Sequence, residues 1–192
     1  MGTDQERSVP SGISTLSAGG IVAYPTEAVW GLGCDPGKEM AVRRILAAKN
    51  RVEEKGLILV ASDTDAITEF LQTLAQDILE KFQALSIEAR KSGRATTWLF
   101  PNDGFFPSWI TGEHRTVAIR ITDHPIAAKL AAGIGGLLVS TSANPAGKTP
   151  AKSLLEAEQY FGDTVDCYVA GELGSNSEPS AIIDLASGRR LR

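Results

Sequence analysis

Seven apolar runs of four or five residues alternate along the chain with stretches whose apolar residues recur at helical spacing, and this alternation constrains the fold most. The runs are IVAY (21–24), LILVA (57–61), TTWLF (96–100), VAIRI (117–121), LLVS (137–140), DCYVA (166–170) and AIIDL (181–185). Continuous apolarity over so few residues suits strands buried on both faces. Between them, Val42, Ile45, Leu46 and the stem of Lys49 follow the i, i+3, i+4, i+7 rule, so the spacing predicts a helix over 38–49. Similar patterns predict helices over 63–74, 76–91, 125–132 and 152–161, with Asp63 and Asp123 as helix starters. The fold class that follows is α/β, a single-domain twisted sheet of mixed direction with flanking helices.

The 192 residues suffice for one substantial core, and neither a repeat nor a linker divides them. The domain therefore spans 1–192, with about 1–12 as a polar N-terminal tail. A composition 43% hydrophobic and 22% charged is that of an ordinary globular protein. The net charge of −4 argues against a protein whose main work is gripping long nucleic acid, although a local basic patch remains compatible with it. Cys34 and Cys167 stand far apart and read as small buried hydrophobes. No signal peptide or bilayer-length apolar run is present, so the expected compartment is the cytoplasm, without membrane association.

Several chemistries are set aside. SANPAGKT ends like a phosphate-binding loop but has Ser142 where that motif needs glycine, with prolines at 145 and 150. GIGG (133–136) is not a dinucleotide fingerprint. His114 and His124, the only histidines, form no zinc motif, and no GxSxG elbow exists. An enzyme built from this chain would work by positioning and charge stabilisation.

Four constellations remain. AYPTEAVWGLGCD places Thr26 and Glu27 after a proline that stops a strand, and offers either a ligand loop or a solvated turn. From Lys38 to Lys55 six basic residues face three acidic ones, and Lys49, Arg51 and Lys55 at the helix exit read either as dipole-favoured surface cations or as a triphosphate clamp. VSTSANPAG gathers Ser140, Thr141, Ser142 and Asn144 behind a buried strand, with Thr149 beyond, as phosphate or ribose ligands or as a helix-capping turn. Arg120, between Ile119 and Ile121, needs an anion from a ligand or from a structural partner such as Asp123.

In this order the constellations resemble the YrdC/TsaC family, the threonylcarbamoyl-AMP synthases of transfer-RNA modification. The resemblance is carried by GGIVAYPTEAVWGLGCDP, AAKNRVEEKGLILVAS, WITGEHRTVAIRITDHP, LLVSTSANPAG and EPSAIIDLASGRRLR, from about Ser14 to Arg192. It implies a YrdC-like fold with a large concave, locally positive cavity. It also implies synthesis of threonylcarbamoyl-adenylate from L-threonine, bicarbonate and ATP with Mg²⁺, releasing pyrophosphate. By motif, Lys49, Arg51, Ser142 and Asn144 form the catalytic set. ATP falls to these four with Lys55, Thr116, Ser140 and Arg192, threonine to Thr26, Arg120 and Ser180, and no protein side chain is assigned to metal. Further implied partners are tRNA or another RNA, and transiently the tRNA threonylcarbamoyl transferase complex. The chain departs from the family pattern at Val52, where relatives usually have proline, at Ser92 to Ala95, where many have Trp-Pro-Gly-Pro, and near Val60, where longer members have histidine. The alternatives are a non-catalytic protein binding tRNA or ribosomal RNA through Lys49 to Lys55 and Arg90 to Arg94, and an accessory module that binds nucleotide without synthesis.

Overall fold

The computed structural model describes residues 7–175 and 180–192. Along the chain run α1 (Val9–Ser17), β1 (Val22–Pro25), β2 (Trp30–Cys34), α2 (Glu39–Lys49), β3 (Ile58–Ala61), α3 (Thr68–Leu71), α4 (Gln76–Ser92) and β4 (Thr96–Pro101). There follow α5 (Ser108–Thr111), β5 (Thr116–Ile121), α6 (Pro125–Ala132), β6 (Leu137–Ser142), α7 (Leu154–Phe161), β7 (Cys167–Tyr168) and β8 (Ala181–Asp184). The strands form one sheet in the order β7-β1-β2-β6-β3-β5-β4-β8. Pairs β1–β7, β3–β5 and β4–β8 are parallel and the rest antiparallel, which is the mixed α/β architecture expected.

Strand alternation sorts the side chains onto two faces. On one, Leu32, Leu59, Ile119 and Val139 pack with Val42 and Ile45 of α2, Phe70 of α3, Phe82 of α4 and Phe161 of α7. Each fully buried aliphatic side chain there stabilises the fold by about 1.5–3 kcal/mol relative to exposure. On the other, Val22, Tyr24, Val60 and Leu138 are covered by Leu16 of α1 and Ala127 and Leu130 of α6. The remainder of this second face, with Ile58, Ala118, Leu99, Ser140 and Ile182, floors a cavity.

The sheet curls around that cavity. Three strands separate β1 from β5, so a flat sheet would hold them about 19 Å apart. Yet Glu27, in the β1–β2 turn, meets Arg120 of β5 at 3.2 Å and the Thr122 hydroxyl at 2.6 Å. Strand twist accumulated over the intervening strands makes this possible.

The structure departs from the sequence expectations at several elements. Residues 1–6 of the expected tail lie outside the described residues, while 9–12 belong to α1, whose first turn is capped by the Ser8 hydroxyl accepting from the Ser11 N–H. Strand β2 was hidden by its glycines, which are required by close approach. A Cβ on Gly33 would lie 2.7 Å from the Val139 carbonyl oxygen and 2.9 Å from the Tyr24 ring, which crosses β2 so that its hydroxyl donates to Ser140 Oγ at 2.7 Å. The expected helix over 63–74 is split into a 3₁₀ turn, Asp65–Ile67, and the short α3; Asp63 still starts it by accepting from the Ala66 N–H. Asp123 does not cap α6: the Thr122 hydroxyl accepts the His124 N–H, and Pro125 opens the helix. Strand β6 extends beyond the expected 137–140 to Ser142, so Ser142 stands on the strand rather than in the loop behind it.

Helix α5, too short to leave a periodic signal, locks the segment after α2. The Leu57 N–H donates to Ile110 O and the Glu113 N–H to Glu54 O. Gly112 has φ 61°, and a Cβ there would sit 2.4 Å from the Glu54 carbonyl oxygen. Gly112→Ala is therefore expected to cost about 1–3 kcal/mol in denaturant unfolding; unchanged stability would contradict this packing. Both cysteines are buried, and among the described residues no helix is long and apolar enough to cross a membrane.

Candidate active site

The open half of the sheet encloses a cavity of about 810 Å³. Among the described residues, Arg51, Lys55, Arg120, Lys152 and Arg192 line it against one carboxylate, Glu27, a local reversal of the chain's net charge of −4. The volume lies in the range of small-molecule sites.

The C-terminus of α2 aims the first cations. Asn50 adopts the left-handed conformation, φ 49° and ψ 48°, and the Arg51 N–H returns to Leu46 O. This turn sends Lys49 and Arg51 in different directions. Arg51 lines the cavity; its Nη2 donates to Gly56 O at 2.9 Å and its buried Nε has no hydrogen-bond partner. Lys55 lies beside it, and among the described residues neither cation has an ion-pair partner. Lys49 instead is 5% exposed and not part of the lining. Its ammonium donates to Ser142 O, to Asn144 O at 2.7 Å, and at 3.5 Å to Asn144 Oδ1. Burial, and then the Arg51 charge, pull this ammonium down to about 8. The geometry thus turns Lys49 to the loop after β6 rather than into the cavity.

Asn144 is likewise outside the lining and organises the loop after β6. Its Oδ1 accepts from Ser142 Oγ at 2.6 Å, and its Nδ2 donates to Lys148 O at 2.8 Å. Ser142, Ser140 and Thr116 line the cavity. At the C-terminal edge Arg192 Nε donates to Ser180 O at 3.0 Å, and Ser180 Oγ lies 2.9 Å from Thr97 Oγ1. Ala95 also contributes to the wall, so the departure at Ser92 to Ala95 leaves that side covered.

Thr26 lines the opposite side, its hydroxyl donating to Val29 O at 2.7 Å and able to accept. Arg120 finds its structural partner in Glu27, not Asp123. Burial works to raise the Glu27 carboxyl, but the Arg120 charge and the Thr122 hydrogen bond outweigh it and hold the group below the usual carboxylate range. Neither Thr26 nor Glu27 is solvated: they are 6% and 7% exposed. Sequence reasoning missed His114 and Lys152, which line the cavity without a local motif, and the pairing of Glu27 with Arg120, which only the curl creates.

Val52 stands at φ −71° and ψ 142° and is 54% exposed, the conformation a proline imposes. Arg51 is held by Gly56 O regardless. Val52→Pro is therefore expected to raise unfolding free energy by about 0.4–1 kcal/mol by restricting the unfolded chain. A lower melting temperature would contradict this.

Among the described residues no three His, Cys, Asp or Glu side chains converge as a metal site. The family model of Sua5, YciO and YrdC proteins, described as "Telomere recombination", matches residues 14–192. A Threonylcarbamoyl-AMP synthase of Acinetobacter baylyi is 46% identical over 190 residues, covering 96% of each chain. The protein of that name from Stutzerimonas stutzeri is 49% identical, covering 92% of each. The structure of P. abyssi Sua5 complexed with L-threonine matches with TM-score 0.77 at 30% identity, over 93% of this chain and 51% of that one, so the chain spans about half its length. With the family match extending over nearly the whole sequence, the chain belongs to the Sua5/YciO/YrdC family.

Proposed function

We propose that the protein condenses L-threonine, bicarbonate and ATP into L-threonylcarbamoyl-adenylate with release of pyrophosphate. The observation that carries this reading is a shared cavity in which, among the described residues, Arg51 and Lys55 stand without a carboxylate while Arg120 is paired with Glu27. The first pair suits a triphosphate, whose charge must be met by several donors. The second suits a substrate carboxylate that completes the arginine's coordination. Full-length likeness to proteins named threonylcarbamoyl-AMP synthase supports the same reading.

Bicarbonate takes up a proton and loses water to give CO₂; the uncharged threonine amine adds to it, and the proton released as the N–C bond forms balances the one consumed, leaving a carbamate. A carbamate oxygen attacks the α-phosphorus, a new P–O bond forms, and the bond to the oxygen bridging to the β-phosphate breaks as pyrophosphate leaves. No side chain needs to shuttle a proton at the phosphorus; holding the reactants in line, neutralising charge and excluding water supply the rate. Arg51, Lys55 and Arg192 hold the nucleotide with Thr116, Ser140 and Ser142, while Thr26, Arg120 and Ser180 orient threonine. Lys49 and Asn144 act on the same reaction by fixing the loop that carries Ser142. No protein side chain is assigned to Mg²⁺, Glu27 being paired with Arg120 and Thr122; brought in with ATP, the ion would supply charge neutralisation to the phosphates. The adenylate is handed to a transferase acting on tRNA, in the cytoplasm, by transient contact with that complex or with the tRNA.

The test is pyrophosphate release by purified protein with each substrate omitted in turn. Release requiring both threonine and bicarbonate is expected; release indifferent to threonine would overturn the proposal.

A further inference from the structure

Among the described residues Glu27 is the one acidic side chain in a cavity wall that carries five Lys and Arg side chains. It is not a surface group, at 7% exposed. Oε1 accepts from the Thr122 hydroxyl at 2.6 Å, while Oε2 is buried, ion-paired with Arg120 Nη2 at 3.2 Å, and makes no hydrogen bond among the described residues. Nor is a buried carboxylate an economical way to close a curled sheet, because desolvation opposes it and an apolar contact would serve.

The network behind Glu27 is continuous. Thr122 Oγ1, while donating to Glu27, accepts the His124 N–H at 3.1 Å, and His124 Nε2 lies 3.0 Å from Glu172 O. The Gly174 N–H donates to Thr26 O at 3.0 Å, where a Cβ on Gly174 would sit 2.9 Å from the Glu27 Cα. The turn that carries Glu27 is thus pinned from β5 and from the 172–174 segment.

We infer that Glu27 is a positioning residue: from the cavity wall, held by Thr122, it fixes the guanidinium of Arg120 so that its remaining donors face the carboxylate of threonine. This inference rests on the functional reading above. A free arginine loses rotamer freedom when it binds, and one already ordered by a carboxylate loses less. The Arg120 side chain keeps 16% of its surface exposed and lines the cavity, so a ligand can still reach it beside Glu27. The pair with Glu27 carries no net charge, so this end of the cavity is less attractive to a polyphosphate than the end with Arg51 and Lys55.

The experiment is calorimetric titration of L-threonine into Glu27→Gln, which keeps the shape but removes the charge, with KM measured for threonine and ATP. Threonine affinity is expected to fall about tenfold or more, the scale of one charge-assisted hydrogen bond, while the ATP KM stays within about twofold. Thr122→Val is expected to weaken threonine by about threefold or more, and Thr122→Ser, which restores the hydroxyl, to recover it. Threonine affinity unchanged in folded Glu27→Gln would overturn the inference, as would equal weakening of ATP, which marks a merely structural clasp. If Glu27→Gln does not fold, unchanged affinity in Thr122→Val overturns it in the same way. Absence of threonine binding by the unsubstituted protein would overturn the functional reading first, a result distinct from these.

Discussion

Lys49→Met is expected to lower unfolding free energy by about 2–4 kcal/mol and to abolish adenylate synthesis together, in paired denaturant-unfolding and turnover measurements. Methionine approximates the length of the side chain but has none of its donors. Two main-chain carbonyls, Ser142 O and Asn144 O, then lose their donor at about 1–3 kcal/mol each, partly offset by the removal of a buried charge. The loop after β6 loosens, and Ser142 moves with it. The offset has its own signature. Because the folded ammonium sits near 8 against an ordinary 10.5, the unfolded chain holds this proton more tightly, and the group's contribution to stability rises with pH across that window. Lys49→Met is expected to flatten that rise. Wild-type stability in Lys49→Met would refute the strut.

Arg51→Met should give the opposite division: turnover lower by about 100- to 1000-fold, with unfolding free energy changed by no more than about 1 kcal/mol. Arg51 makes one close main-chain contact, to Gly56 O, and that segment is independently locked by the backbone bonds to Ile110 and from Glu113. Its side chain lines the cavity without an ion-pair partner among the described residues, where it can meet the charge that develops in the reaction. Two cations two residues apart therefore separate folding from chemistry. Equal loss of stability from both substitutions would show that the segment is one structural unit.

The contrast between these residues marks the limit of what the sequence carries. Both are basic residues at a helix exit, and composition treats them alike; the left-handed cap at Asn50, closed by main-chain bonds back to Leu46 and Ala47, turns one inward and the other to the cavity. The sheet was legible where apolar runs were continuous, as in LILVA and VAIRI, and illegible in β2, where close approach by Tyr24 demanded glycines that ordinarily argue against a strand. The hydroxyls of Ser140 and Ser142 were visible as a cluster, although the extension of the strand past Ser140 to Ser142 was not. Arg120 announced its need for an anion, but Asp123, two residues behind Ile121, was nearer in sequence than Glu27, and no local pattern encodes a contact made across three intervening strands. The order of the four constellations located the cavity; the register and curl of the sheet decided which of their side chains reach it.

Mass spectrometry of the product formed by purified protein from ATP, L-threonine and isotopically labelled bicarbonate bears most directly on the proposed reaction. A threonylcarbamoyl-adenylate carrying the label, formed in step with pyrophosphate, is the expected result. A well-folded protein that yields no labelled adenylate, or that releases pyrophosphate equally without threonine, would contradict it.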